Sequence, residues 1–269
     1  MVTPDAFFNR DGEAFVPTPL AQGPWGSTVS GNRVGGILAW AIEREADDHE
    51  LQPARLTVDL LRPTAMAPVR VQTTVSREGR RLRLVDAQLV QNGDVAARAS
   101  ALFLRRSEQP PDDVWSSPIT MPPPPAESDE PPQDAHMFFW SYGLNPVQGS
   151  PGIGFTEWQQ ASRPKYAWTR ETKLLIDGEP LSPFTRAAMA GDVTSSLTHW
   201  GTDGLKFINA DYTLALSRQP EGPYIGLAAL THYSHAGIAT GVATMFDQTG
   251  PIGSGMATAI ANPGFNPPV

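Results

Sequence analysis

The chain sets out the same order of elements twice, and that repetition limits the folds open to it. In each half one helix-like stretch precedes a series of strand-like runs. In the first half Ser30 is placed to cap a helix that begins near Asn32. Ile37, Leu38, Ala41 and Ile42 then recur at helical spacing, with Glu43, Arg44 and Glu45 turned outward, and the pattern ends near Asp47–Asp48. RLTVDLLRP, VRVQTTVSR, RLRLVDAQLVQ and VAARASALFLRR follow as strands, separated by turn signals at Arg77-Glu78-Gly79 and Gln91-Asn92-Gly93-Asp94. In the second half Ser182-Pro183 joins a capping Ser to a Pro at the first helical position, and the helix should reach about Trp200. KFINADYTLALSR, PYIGLAALTHYS, ATGVATMFDQ and SGMATAIAN come next.

The halves also agree in register. QNGDVAARASALF (91–103) lies under QTGPIGSGMATAI (248–260), Gly93 over Gly250. LLRP (60–63) lies under LSRQP (216–220), one residue longer. Agreement in helix, strand order and two turn regions points to an internal duplication. A helix followed by an antiparallel meander must bury itself on one face of that sheet. Two such units can cover each other's strand edges. The reading is therefore α+β, with two tandem units, each a long helix wrapped by an antiparallel sheet.

Pro110, Pro111, Pro118, Pro122 to Pro125, Pro131 and Pro132 crowd between Glu108 and Ala135 among acidic residues. Such a stretch forms neither helix nor central strand. This sets an N-terminal domain at 1–107, a proline-rich linker at 108–135 and a C-terminal domain at 136–269. The aromatic stretch 136–180 is expected to be strand and loop leading into the second unit, as a lid or as its first strand.

A net charge of −8 disfavours nucleic acid as partner. The chain has no cysteine, which removes disulfides, thiolate zinc sites and a cysteine nucleophile. MVTPDAFFNRDGEAFVP has no basic start leading into an apolar run, so the expectation is a chain without a signal peptide, at home in the cytoplasm. No window is apolar for long enough to predict a membrane span.

Several segments together resemble the TesB-type acyl-CoA thioesterases, a double hotdog family. In the first half they are GNRVGGILAWAI (31–42), DLLRPT (59–64) and SREGRRLRLVDAQLVQNGDVAARASALFL (76–104). In the second they are AGDVTSSL (190–197), NADYTLALSR (209–218) and GVATMFDQTGPIGSGMA (241–257). The resemblance implies an enzyme that hydrolyses fatty acyl-CoA thioesters with no cofactor beyond the CoA of its substrate. It further implies an Asp in the second helix acting with a Thr and a Gln on neighbouring strands to position water. The Asp maps onto Asp192 and the Thr onto Asn209. The Gln maps onto Ala257, or onto Thr258 if the register slips by one. So the acid is present, the hydroxyl is exchanged for a carboxamide and the Gln is missing.

The residue types suit that chemistry. A carboxylate can take or direct the proton of an attacking water, and N–H groups at a helix N-terminus can meet a developing oxyanion. Asn209 offers both a donor and an acceptor, and Thr258 can do part of the missing Gln's work. Gly35 and Gly36 have no side chains and leave room for a pantetheine arm, or for close helix–sheet packing. Arg80 and Arg81, with Arg77 and Arg83, flank a hairpin turn and are either a solvated face or a contact for CoA phosphates. Asp192 itself is either an acid–base group or a helix cap. His199, two helical turns beyond it, is read as an ordinary partly buried His. His232 and His235 fall on opposite faces of a strand, so no metal site is expected. A hotdog hydratase is disfavoured, because that chemistry asks for His five residues after the Asp and Leu197 stands there. A non-catalytic acyl-CoA or lipid-binding protein is the other alternative. The tandem chain is expected to pair again as a homodimer or higher homo-oligomer.

Overall fold

The computed structural model describes residues 5–115, 119–125, 137–142, 152–153, 158 and 164–265. It opens with β1 (Ala6–Asp11), β2 (Ala14–Pro17) and a short 3-10 turn (Pro19–Ala21), then α1 (Gly31–Ala46). The first meander is β3 (Leu51–Leu60), β4 (Arg70–Glu78), β5 (Leu82–Gln91) and β6 (Asp94–Arg105). Beyond the proline-rich segment come β7 (Met137–Tyr142), β8 (Gly152–Ile153), β9 (Tyr166–Glu171), β10 (Leu174–Ile176) and α2 (Pro183–His199). The second meander holds β11 (Trp200–Gly201), β12 (Gly204–Leu205), β13 (Phe207–Asn209), β14 (Asp211–Leu216), β15 (Ile225–His235), β16 (Ile238–Asp247) and β17 (Gly250–Ala261). Among the described residues no helix is long and apolar enough to cross a membrane.

Both helices begin and end within a residue of the expected places. α1 stops where Asp47 takes a left-handed φ of 35°, a conformation that Asp tolerates better than a branched residue does. The β5–β6 turn puts Asn92 and Gly93 at φ 54° and 87°, the paired positive angles of a two-residue hairpin.

A 12-stranded sheet runs β4-β5-β6-β3-β14-β17-β16-β15-β9-β7-β8, with β13 pairing β17 beside β14. The two units fuse where β3 meets β14 antiparallel, Leu56 opposite Leu214 and Val58 opposite Tyr212. Alternation sends these four buried side chains to the face beneath the helices. Thr57 and Thr213 point to the other face, their hydroxyls 3.0 Å apart. The α+β double hotdog expectation is borne out. One strand crosses between the expected domains: β1 pairs in parallel with β10, Ala6 opposite Leu174 and Phe8 opposite Ile176.

Parts of the proline-rich segment and of 136–180 lie outside the described residues, among them Pro118, Pro131 and Pro132. Of the described parts, 108–115 is exposed, and 119–125 lies on the sheet face away from the helices. There Ile119 and Met121 pack on a cluster of Trp140, Tyr142, Trp168, Tyr224, Ala228 and Phe246. Trp168 Nε1 donates to the Pro122 carbonyl at 2.9 Å and the Tyr142 hydroxyl to that of Pro123 at 3.2 Å. Within 136–180, β7 is a true strand, paired with β9 from Met137 opposite Glu171 to Tyr142 opposite Tyr166.

Candidate active site

Asp192 lies on α2 and reaches across to the start of α1. A side chain at Gly31 would land 2.9 Å from Asp192 Oδ1, and the Asn32 backbone N–H donates to the carboxylate. The first N–H groups of any helix lack partners within it and carry positive potential. Ser30, expected to cap α1 with its hydroxyl, makes no such bond. The carboxylate of Asp192, arriving from the second unit, does that work. Ser182 does cap α2, its Oγ accepting from Thr185 N at 3.0 Å.

A second donor comes from the sheet. Asn209 Nδ2 donates to Asp192 Oδ1 at 2.8 Å. Asn209 opposes Ala259, whereas Thr213 opposes Met256, so the β13–β14 side carries one residue more than β17 in between. That bulge re-aims side chains. Ala210 N–H donates to the Thr258 carbonyl at 2.9 Å, Asn209 turns toward α2, and Asp211 turns to the opposite face. Burial pushes the Asp192 carboxyl above its ordinary value, while Asn209, the Arg33 charge and the Asn32 amide pull it back down.

The other expected site residues go elsewhere. Thr258 Oγ1 donates to Asp211 Oδ1 at 2.6 Å and Thr258 N to the same oxygen at 2.7 Å. Its neighbour Ala257 is buried on the helix side, which by strand alternation puts Thr258 on the outer face, away from Asp192. Gly35 and Gly36 leave no passage: a methyl at Gly35 would overlap the Tyr212 hydroxyl, and one at Gly36 would come 2.7 Å from Met189 Cγ. Tyr212 uses that space to donate to the Ala188 carbonyl at 2.9 Å. The pair therefore serves close packing of α1 on α2 and β14. Arg80 and Arg81 are exposed on the hairpin after β4. That end of the sheet adjoins the C-terminus of α1, where Arg83 donates to the Ala46 carbonyl. Asp192 sits at the opposite end of a 16-residue helix, about 24 Å away by helix rise.

His199 is buried, as read, but has an unforeseen partner. Its Nδ1 lies 2.9 Å from His232 Nδ1, and burial followed by the His232 charge lowers it to about 4. The two rings line an open pocket of about 470 Å³ with Lys165, Trp200, Phe207 and Leu230.

Arg33 and Glu171 were not among the residues expected at a site. Arg33 is 7% exposed on the first turn of α1, its Nη1 donating to Asn32 Oδ1 at 2.5 Å. Glu171, at the end of β9, is pushed up to about 7 by burial, against the pull of Arg33 and Arg186. A signal existed for Arg33: it is the one charge in the run GNRVGGILAWAI. Glu171 carried none.

Comparisons with known proteins bear on the N-terminal unit and on the fold. Residues 20–104 match the acyl-CoA thioesterase N-terminal domain family, a span that contains all three N-terminal segments quoted for the resemblance. The fold is similar to the tesB protein of Mycobacterium avium subsp. paratuberculosis, with a TM-score of 0.68 at 17% identity over 95% of this chain and 96% of that one. It is similar to the acyl-CoA thioesterase II TesB2 of Mycobacterium marinum, with a TM-score of 0.63 at 17% identity over 94% and 93%. It is also similar to a hot dog fold protein of unknown function from Alicyclobacillus acidocaldarius, with a TM-score of 0.65 at 17% identity over 98% of each. No curated protein matches the chain in sequence.

Proposed function

We propose, for a chain with an acyl-CoA thioesterase N-terminal domain and the fold of TesB-type thioesterases, that it hydrolyses a fatty acyl-CoA thioester to free acid and CoA, with Asp192 as the base. The observation that carries this is the setting of Asp192: a desolvated carboxylate held between the first turn of α1 and Asn209. Burial raises its affinity for a proton, which suits a group that must take one near neutrality. Water, directed by Asp192, attacks the thioester carbon as its proton passes to the carboxylate. The tetrahedral intermediate collapses with loss of the CoA thiolate, which recovers the proton. The positive N-terminus of α1 would stabilise the oxyanion. The reaction needs no resident cofactor. The chain would act in the cytoplasm, as a homodimer or higher homo-oligomer.

A second reading is non-catalytic acyl-CoA binding. It is favoured by Ala257 where the family resemblance implies Gln, and by Thr258 being engaged with Asp211. Thiol release from a panel of short to long acyl-CoAs separates the two. Asp192→Asn keeps an acceptor for the Asn32 amide but cannot take a proton. Its turnover should fall about 10²- to 10⁴-fold with the fold intact. Wild-type turnover in that variant would eliminate Asp192 as base. Saturable binding without hydrolysis by the wild type would favour the second reading.

A further inference from the structure

The cap on α1 does not account for the charges behind it. Arg33 has no carboxylate within ion-pair distance among the described residues. Its face lies over the Phe7 ring, 4.3 Å from the centroid, and its buried Nε has no hydrogen-bond partner. Two carboxyl groups act on it from farther off, Glu171 and Asp192. Glu171 also keeps a buried, unpartnered oxygen, Oε2. A buried cation without a direct counter-ion is costly, yet its surroundings are ordered: the Arg33 guanidinium holds the Asn32 side-chain oxygen, and the Asn32 backbone amide holds Asp192.

We propose that Arg33 is a positioning residue for Asp192: its guanidinium fixes Asn32 on the first turn of α1, where the Asp192 carboxylate is seated. This rests on the reading of Asp192 as the base. The groups facing that carboxylate are Asn32 and Arg33 from α1, Asn209 from β13 and Tyr212 from β14. Behind them the Glu171 charge from β9 acts on Arg33, and Arg186 from α2 acts on Glu171. Tyr212 stays neutral, its hydroxyl raised well above the ordinary range by burial and by Asp192.

Loss of the Arg33 cation makes the Asp192 carboxylate less favourable, so its titration midpoint rises, which a purely structural role would not produce. The experiment is a carbon-13 titration of the Asp192 carboxyl, assigned with Asp192→Asn, in the wild type and in Arg33→Met, Arg33→Gln and Arg33→Lys. The expected shift is about half to one pH unit upward for Arg33→Met and Arg33→Gln, with Arg33→Lys near the wild type. The acid limb of kcat/KM should move with each midpoint. An unmoved midpoint in either neutral variant while folded, or an equal rise in Arg33→Lys, would overturn the proposal. If Arg33→Met does not fold, Arg33→Gln decides. The titration needs no turnover, so a wild type that hydrolyses nothing would sink the thioesterase reading and still leave this one measured.

Discussion

Two demands meet on the carboxylate of Asp192. It closes the open end of α1 through the Asn32 amide, and it accepts from Asn209 at 2.8 Å. Each donor favours the charged form, and burial opposes both. Removing one donor should therefore show in the titration of the group. Asn209→Ala takes away a bond that lowers the Asp192 carboxyl, so the carboxyl rises further. At a given pH less of it is ionised, and the acid limb of the pH–rate profile moves to higher pH. A profile that stays in place while kcat falls would mean that Asn209 touches substrate instead. Asp192 and Asn209 were legible in the sequence because AGDVTSSL and NADYTLALSR resemble family segments. Their hydrogen bond was not, since it depends on a bulge between β13 and β17. Thr258 faces away by simple alternation along β17, and the bulge brings Asp211 to it on that outer face.

Helix starts show how far local signals carry. Ser182-Pro183 specifies the start of α2 and supplies its cap within four residues of chain. Ser30 occupies the corresponding place before α1, yet its hydroxyl caps nothing, because Asp192 already meets the first turn. The two serines should respond differently to truncation. Ser182→Ala should cost about 1–2 kcal/mol of stability, because the hydroxyl also donates to Glu43. Ser30→Ala should cost no more than a few tenths, as for a surface change away from any cap. Urea unfolding of both variants checks this, and equal losses would contradict it. α2 carries no clear apolar stripe of its own. It is buried on nearly every side, by sheet, by α1 and by β9, so no polar stripe marks a solvent face. Gly241 and Gly255 let Thr198 and Thr194 of α2 approach the strands, since a methyl at either place would overlap those hydroxyls.

In the whole molecule the duplication ends in one continuous sheet. β3 pairs with β14, β1 pairs with β10, and α1 is capped by α2. Cutting the chain after residue 107 would leave β1 with β2 alone, open the edge of β3 and leave the start of α1 uncapped. An exposed edge next to an uncovered apolar face favours association. The fragment 1–107 should therefore run as aggregate on size exclusion, and co-expression with 108–269 should recover a soluble complex. A folded, monomeric 1–107 would show that the seam contributes little. Arg218 and Asp247 brace the far hairpin of the second unit. Burial alone would raise the Asp247 carboxyl, but Arg218, the Glu221 and Thr249 amides and the Thr249 hydroxyl outweigh it and hold the group well below the usual range.

The sequence by itself determined the two helices and the meander strands in their order, because helix caps, turn residues and apolar periods act over a few residues of chain; the short β1 and β2 carried no such signal. QNGDVAARASALF and QTGPIGSGMATAI even located the matching strands, β6 and β17, of the two units. Tertiary structure alone decided which side chains share a site. Asn32 meets Asp192 from the other unit, Glu171 bears on Arg33 from a strand far along the chain, and His199 of α2 finds His232 on the strand packed against it. Those meetings depend on how two helices cross over a fused sheet and on one extra residue in a strand. Neither leaves a periodic trace in the chain.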